Sequence, residues 1–221
     1  MVLFFVVQIL LTLCLILLFL LVFIGIESFG IGLIPSLVIS LFLTYFLALL
    51  LLASIHKLSR VLMRTKEGEI EGTSLILWTI QATSLDIALN LTRKFTIHSP
   101  LPDFIYRLFG FKHNKGVSIL TPRIWDLDLI EIGENTLIGT NTIVSGHHIR
   151  QGKLYRKRVI IGKNVTVGAD CIIAPGATIG DDTIVAINST IPPNWILDAN
   201  SLYGGVPVKK LKSFDSESVN E

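Results

Sequence analysis

The feature that most constrains the fold is a repeat of six residues in the second half of the chain. At this period a β-branched aliphatic residue recurs, and a small residue or proline usually follows it. The aliphatic positions are Ile132, Ile138 and Val144, and then Ile161, Val167, Ile173, Ile179, Val185 and Ile191. A short repeat at a fixed period predicts a solenoid in which three six-residue sides make one coil and the aliphatic side chains stack inside.

The first 55 residues differ in composition from the rest. The whole chain is 51 % hydrophobic and 16 % charged, with a mean hydropathy of +0.64, but residues 1–55 carry one charged side chain, Glu27. Two apolar runs, about 3–26 and 33–55, are each long enough to cross the hydrocarbon core of about 30 Å. Gly30, Gly32 and Pro35 separate them, which predicts a hairpin of two transmembrane helices. The first run is too long for a signal peptide and lacks a basic start.

The basic residues predict the orientation in the membrane. Lys57, Arg60 and Arg64 follow the second run, and the hairpin tip has no basic residue. The positive-inside rule then places both termini and the remaining domain in the cytoplasm. The stretch 57–64 either lies on an anionic leaflet or continues the second helix into solvent. A net charge of +2 is too small to indicate nucleic-acid binding.

Residues 56–115 are predicted to be a membrane-proximal region. Within it, residues 66–72 have the composition of a linker, and apolar residues at helical spacing predict a helix from Leu75 to about Lys94. Gln81, Asp86 and Asn90 make that helix too polar to span. A short helix is expected to end at Gly110, and residues 213–221 are expected to be a disordered acidic tail. Cys14 and Cys171 have no metal-site spacing.

The six-residue phase breaks between Val144 and Ile161, which predicts a loop thrown out of the solenoid over residues 145–158. Such loops often carry function. This one contains His147 and His148, and it is strongly basic. Its cations are Arg150, Lys153, Arg156, Lys157 and Arg158.

The repeat resembles that of the hexapeptide-repeat acyltransferases, over about residues 116–212. Its most specific stretches are residues 161–168, residues 174–181 (APGATIGD) and residues 205–210 (GVPVKK). Residues 104–110 and 125–133 resemble the C-terminal hexapeptide regions of polylysine-synthetase-like proteins, which also contain membrane helices. The resemblance implies a left-handed parallel β-helix, a homotrimer, and acetyl-CoA or another acyl-CoA as co-substrate. It also implies transfer to a sugar, a lipid-linked acceptor or an envelope precursor.

The resemblance also implies site residues. In the sugar acetyltransferases of this family the loop begins with a short motif whose His is the catalytic base. His147 matches that His and is preferred to His148. Contacts to the pantetheine arm are implied near Ala169 and Ile187, and Lys210 matches the basic end of the family's last motif. The cations of residues 145–158 either attract coenzyme A phosphates or lipid headgroups, or form a solvated rim.

Other interpretations remain open from the residues alone. Asp126, Asp128 and Glu131 either orient the imidazole or form a polar edge of the β-helix, and the polar edge is favoured. His56, His98 and His113 are expected at the surface or at helix ends. No metal is expected, because the positions five after His147 and His148 are Gly152 and Lys153 rather than ligands. A different class of function, a trimeric scaffold without catalysis, would have a similar repeat.

Overall fold

The computed structural model describes residues 2–64, 67–96, 101–112, 114–121 and 123–214. The chain divides into two compact units. One comprises Met1–Met63 and Thr73–Leu91, and the other Arg64–Gly72 and Thr92–Glu221. His98, His113 and residues 215–221 lie outside the described residues, so the predictions made for them stay predictions.

The first unit is helical. Helix α1 (Val2–Glu27) and helix α2 (Leu33–Met63) pack against each other, and α3 (Gly72–Thr96) contributes its first residues to the same unit. Gly30 and Gly32 adopt positive φ in the turn between α1 and α2, as their lack of a Cβ allows. The predicted helical hairpin is therefore present, and Lys57 and Arg60 continue the second helix.

Three helices are long and apolar enough to cross a membrane, and the third covers Gly72–Thr92. Length and composition alone do not place a helix in a membrane, so the prediction that Gln81, Asp86 and Asn90 make α3 too polar to span stays a prediction. Gln81 is buried rather than solvated, and its carbonyl oxygen lies 3.1 Å from Nδ1 of His56. His56 itself is 4 % exposed, so its predicted position at the surface or at a helix end is wrong. The cause is that polar groups of α2 and α3 contact each other inside the helical unit.

The second unit begins with a strand that the sequence did not predict, β1 (Gly68–Ile70). It pairs antiparallel with a strand more than 80 residues later, so the interpretation of residues 66–72 as a linker is wrong at 68–70. Its Ile70 lies opposite Leu154, and both side chains are buried. This apolar contact stabilises a strand of only three residues.

Helix α4 (Leu101–Leu108) leads into the repeat region. The hydroxyl of Tyr106 donates to the carbonyl of Thr121 and accepts from the backbone N–H of Ile124, at 3.2 and 2.9 Å. Tyr106 is fully buried, and this burial raises the pKa of its hydroxyl above the ordinary value. The helix is thereby fixed beside the first strands of the repeat.

The repeat region consists of short strands separated by tight corners. In chain order they are β2 (Ser118–Ile119), β3 (Ile124–Trp125), β4 (Ile130–Ile132), β5 (Leu137–Ile138), β6 (Ile143–Ser145), β7 (His147–Arg150), β8 (Lys153–Arg156), β9 (Val159–Ile161), β10 (Thr166–Val167), β11 (Ile172–Ile173), β12 (Thr178–Ile179), β13 (Ile184–Val185), β14 (Thr190–Ile191), β15 (Ile196–Leu197), β16 (Ser201–Gly204) and β17 (Lys209–Ser213).

Three sheets form the walls of a β-helix. Their strand orders are β2-β5-β10-β13-β16 with β17 antiparallel at the end, β3-β6-β11-β14, and β4-β9-β12-β15. All other pairings in these sheets are parallel, as a solenoid requires. The nine aliphatic residues of the repeat point inward and are each at most 2 % exposed. The predicted β-helix is confirmed.

The corners explain how the chain turns so tightly. Residues with φ between +51° and +80° recur at a period of six, and all but one are Asn or Asp, which tolerate this conformation best after glycine. They are Asn164, Asp170, Gly176, Asp182, Asn188, Asn194 and Asn200. The period of the corners equals the period of the core, so one pattern specifies both.

Candidate active site

The residues between the two runs of the repeat form an ordered β-hairpin rather than an irregular loop. We call residues 145–158 the hairpin arm. Strands β7 and β8 are joined by Gln151 and Gly152, both at positive φ (50° and 76°), as in a two-residue hairpin turn. Together with β1 they make a three-stranded antiparallel sheet outside the walls of the β-helix.

The register of the hairpin arm separates the two histidines. His147 lies opposite Arg156, and His148 lies opposite Tyr155. Because successive side chains of a strand point to opposite faces, His147 and Arg156 share one face and His148 and Tyr155 share the other. The two candidate bases therefore have different surroundings.

His147 contacts a buried carboxylate. Its Nδ1 atom lies 2.5 Å from Oδ2 of Asp126, whose side chain is 1 % exposed while that of His147 is 23 % exposed. Asp126 follows β3 in a tight turn and has φ of +59°, which Asp tolerates. A carboxylate on Nδ1 favours the tautomer with its proton there, which leaves the lone pair on Nε2. The hydroxyl of Ser145 also lies 3.3 Å from Nδ1.

Asp126 is held from its other side by Arg156. The guanidinium Nε lies 3.3 Å from Oδ1 of Asp126, and Nη2 lies 2.6 Å from Oδ1 of Asp128. All three side chains are at least 98 % buried. Buried charges of this kind are tolerated only when each has a partner, so the arginine pairs with Asp126 and holds it in place beside His147.

The structure corrects the interpretation of the acidic residues as a polar edge. Asp126 and Asp128 are buried parts of the site, whereas Glu131 does lie at an exposed edge, where it pairs with Arg158. Arg156 was placed among the exposed cations of the loop, and this is also wrong. The signal that could have found it is Gly152, since a two-residue turn there places position 156 opposite His147.

His148 has no comparable partner. Its ring stacks on Tyr155, with centroids 5.6 Å apart and an angle of 18° between the planes. Its Nδ1 atom is buried, and among the residues that the structure describes it has no hydrogen-bond partner. A general base needs a group that fixes its tautomer, and the geometry therefore favours His147.

The predicted coenzyme residues lie elsewhere on the β-helix. Ala169 and Ile187 occupy the same corner on successive coils, after β10 and β13, and the N–H of Asn188 donates to the carbonyl of Ala169 at 2.9 Å. Lys210 lies in β17, and its Nζ is 3.0 Å from Oδ2 of Asp198. His147 follows β6, a strand of another sheet. Within one chain the structure does not bring these three residues together with His147.

A resident metal has no obvious place among the described residues. No group of three or more potential ligands from His, Cys, Asp and Glu is close enough to hold an ion there. The polar atoms of the site are instead used in the contacts of His147, Asp126 and Arg156. This arrangement can take up and return a proton at Nε2 of His147.

Comparison with known proteins identifies the repeat. Residues 158–193 match the family model described as bacterial transferase hexapeptide (six repeats), and residues 130–152 match hexapeptide repeat of succinyl-transferase. Among curated proteins, no sequence matches this chain significantly.

Solved structures resemble the chain in part. A hexapeptide-repeat acetyltransferase from Vibrio cholerae has 18 % identity and a TM-score of 0.48, over 67 % of this chain and 97 % of its own. A maltose O-acetyltransferase from Clostridium difficile has 17 % identity and a TM-score of 0.41, over 58 % and 85 %. An N-acyltransferase from Bacillus cereus has 26 % identity and a TM-score of 0.40, over 47 % and 62 %. The chain therefore carries hexapeptide repeats over residues 130–152 and 158–193 that match transferase family models.

Proposed function

We propose that this chain is an acyltransferase that moves an acetyl or other acyl group from acyl-CoA to a hydroxyl or amine. The acceptor is a sugar, a lipid-linked glycan or an envelope precursor. The observation that carries the proposal is the contact between His147 and Asp126, because it provides a partly exposed base with a buried carboxylate behind it. The matches to transferase repeat models, over residues 130–152 and 158–193, support the same activity.

In the proposed reaction, Nε2 of His147 takes the proton from the acceptor while the acceptor oxygen or nitrogen attacks the thioester carbonyl. The new bond to the acyl carbon forms and the carbon–sulfur bond breaks. His147 then returns the proton to the departing thiolate. Asp126 stabilises the imidazolium that exists between these steps. General-base catalysis of this kind increases the reaction rate by about 10²–10⁴-fold.

The test is release of coenzyme A thiol by the purified full-length protein, with panels of acyl-CoA donors and acceptors. His147→Ala is expected to lower turnover by roughly 10²–10⁴-fold, and Asp126→Asn to lower it in the same direction. His148→Ala is the matched control and is expected to lower turnover much less. Cys14→Ser removes an exposed free thiol and provides the background for all variants. Turnover that is unaffected by His147→Ala contradicts the assignment.

We further propose that the active unit is a homotrimer. Ala169, Ile187 and Lys210 remain the proposed coenzyme contacts. They do not lie together with His147 within one chain, so we propose that a neighbouring copy supplies them to the site. Ile160 in β9 and Ile196 in β15 project from the wall formed by β4, β9, β12 and β15, and they are 39 % and 74 % exposed. Such apolar side chains on a flat wall are suited to contact with another copy. A monomer by native mass measurement in nanodiscs would contradict this assembly.

The membrane arrangement is also a proposal. We propose that α1 and α2 cross the bilayer and that both termini and the β-helix are cytoplasmic, where acyl-CoA is available. The test is labelling by an impermeant thiol reagent in the Cys14→Ser background. Ser28→Cys is expected to react from outside, and Lys209→Cys only after permeabilisation. If Val2→Cys and Lys209→Cys react from opposite sides, α3 also crosses.

A further inference from the structure

The five cations of the hairpin arm fall into two groups. Three of them have acidic partners, which neutralise them. These are Lys153 with Glu69 at 2.7 Å, Arg156 with Asp126 and Asp128, and Arg158 with Glu67 and Glu131. The arm is therefore less basic in the fold than in the sequence.

The other two cations are Arg150 and Lys157. Among the residues that the structure describes, neither forms an ion pair with a carboxylate. Nζ of Lys157 donates to the side-chain oxygen of Asn194, at 2.5 Å, which leaves its charge uncompensated. Both positive charges are thus available to an anion.

These two cations line one cavity. It has a volume of about 470 Å³, and Arg150, Lys157, His148 and Tyr155 contribute to its walls. His148 brings the buried Nδ1 atom that has no hydrogen-bond partner among the described residues. A buried polar atom without a partner is costly, so a ligand that bonds to it would gain that energy.

We propose that this cavity binds a phosphate group. Arg150 offers the planar fork that bonds to two oxygens of a phosphate, and Lys157 adds a second positive charge. His148 supplies a third donor when its Nδ1 carries a proton. Glu67 also lines the cavity, and its carboxylate shares the charge of Arg158 with Glu131, so Arg150 and Lys157 together still outnumber the one carboxylate of the lining.

The phosphate is assigned to the acceptor, and this assignment rests on the proposed function. His147 and His148 are consecutive in β7, which is the edge strand of its sheet, and their side chains lie on opposite faces. An acceptor that places its attacking atom at His147 therefore reaches the cavity beside His148 by passing around this edge. In the proposed trimer a neighbouring copy supplies Ala169, Ile187 and Lys210, so coenzyme A is the competing source of the phosphate that the second experiment tests. The acceptor class is therefore a phosphorylated sugar or a lipid-linked sugar phosphate.

The first experiment measures binding of inorganic pyrophosphate to the full-length protein in neutral-lipid nanodiscs by calorimetry. The double variant Arg150→Gln/Lys157→Gln is expected to raise the Kd at least tenfold. The control Lys115→Gln/Lys163→Gln removes the same charge from exposed positions elsewhere and is expected to leave the Kd unchanged. A Kd that is equal in wild type and the first double variant, or an equal loss in the control, overturns the site.

The second experiment identifies the source of the phosphate by competition with pyrophosphate. Displacement by glucose 1-phosphate or by dodecyl phosphate supports the acceptor. Displacement by coenzyme A alone, or by none of the three, overturns that assignment. His147→Ala is expected to bind pyrophosphate like wild type, since the assay needs no turnover. Loss of catalysis and loss of the phosphate site are therefore distinguishable.

Discussion

A Cβ atom on Gly146 would lie 2.9 Å from Cβ of Asp126, closer than such atoms approach in proteins. The residue before the proposed base is therefore in direct contact with the residue that orients it. Only the absence of a side chain at Gly146 lets the hairpin arm come near enough for Asp126 to reach Nδ1 of His147. The geometry of the site thus depends on a residue with no chemistry of its own.

Gly146→Ala is expected to separate His147 from Asp126. The added methyl group also meets Cβ of Leu129, at 3.2 Å, so neither neighbour can move away freely. We expect turnover to fall at least tenfold, with a loss of stability of about 1–3 kcal/mol from overpacking. Gly25→Ala is the control, because nothing lies within 4 Å of a Cβ there. Full activity of Gly146→Ala would show that the contact is dispensable.

Arg156→Leu is expected to destabilise the β-helical unit by about 3–5 kcal/mol, since it removes the buried positive charge that faces the carboxylates of Asp126 and Asp128. Arg156→Lys keeps the charge but loses the fork, and its effect should be intermediate. Arg158→Leu is the matched control. Its guanidinium is 37 % exposed, and its exposed pairs are worth about 1 kcal/mol or less. Chemical unfolding of all three variants checks this, and equal losses for Arg156→Leu and Arg158→Leu would contradict it.

Ile173→Ala is expected to lower the free energy of unfolding by about 2–5 kcal/mol, because the side chain is fully buried between equivalent residues of adjacent coils. Its neighbour Ile172 points outward and is 43 % exposed. Ile172→Ala should therefore cost much less, although the two variants remove the same atoms from the same strand. The measurement is the free energy of unfolding of each. Similar values would indicate that the coils do not stack as described.

Glu69 gives the contact between β1 and β8 a pH dependence. The hydrogen bond from Lys153 lowers the pKa of Glu69 below its ordinary value of 4.5. The pair therefore contributes its full stabilisation above that ordinary value and loses it as the pH falls through the lowered pKa. The protection factors of the β1 and β8 amides, which correct for the intrinsic pH dependence of exchange, are expected to fall in that acidic range. Glu69→Gln should remove this pH dependence, and an identical dependence in both proteins would contradict the assignment.

The walls of the β-helix could be predicted from the sequence because residues close together in the chain specify each side of a coil. Ile161, Val167 and Ile173 occupy equivalent positions six residues apart, and the next residue allows each corner. Stacking then follows without any knowledge of distant pairings. The same logic locates the loop that carries His147, because the period breaks there, whereas the choice of His147 within the loop rests on the resemblance to the sugar acetyltransferases.

The surroundings of His147 could not be predicted in this way. Asp126 precedes it by 21 residues, and Arg156 faces it only because of the turn at Gly152. From residue type alone, a buried arginine with its buried carboxylates cannot be distinguished from charged residues on a solvated edge. Likewise β1 is three residues long, and its partner strand follows after the whole of α3 and α4. Contacts of this kind depend on the completed fold.

The pairing of β1 with β8 also has a consequence for biosynthesis. Glu69 and its partner Tyr155 are separated by 86 residues, so at about 5–20 residues per second β1 is made roughly 4–17 s before its partner. During that interval the ribosome completes α3 and the first coils while the β1 segment has nothing to pair with. The glutamates on either side of Gly68 are suited to this delay, because charged side chains keep an unpaired strand from joining other chains. The last contact of the hairpin arm is therefore made with one of the earliest parts of the domain to be synthesised.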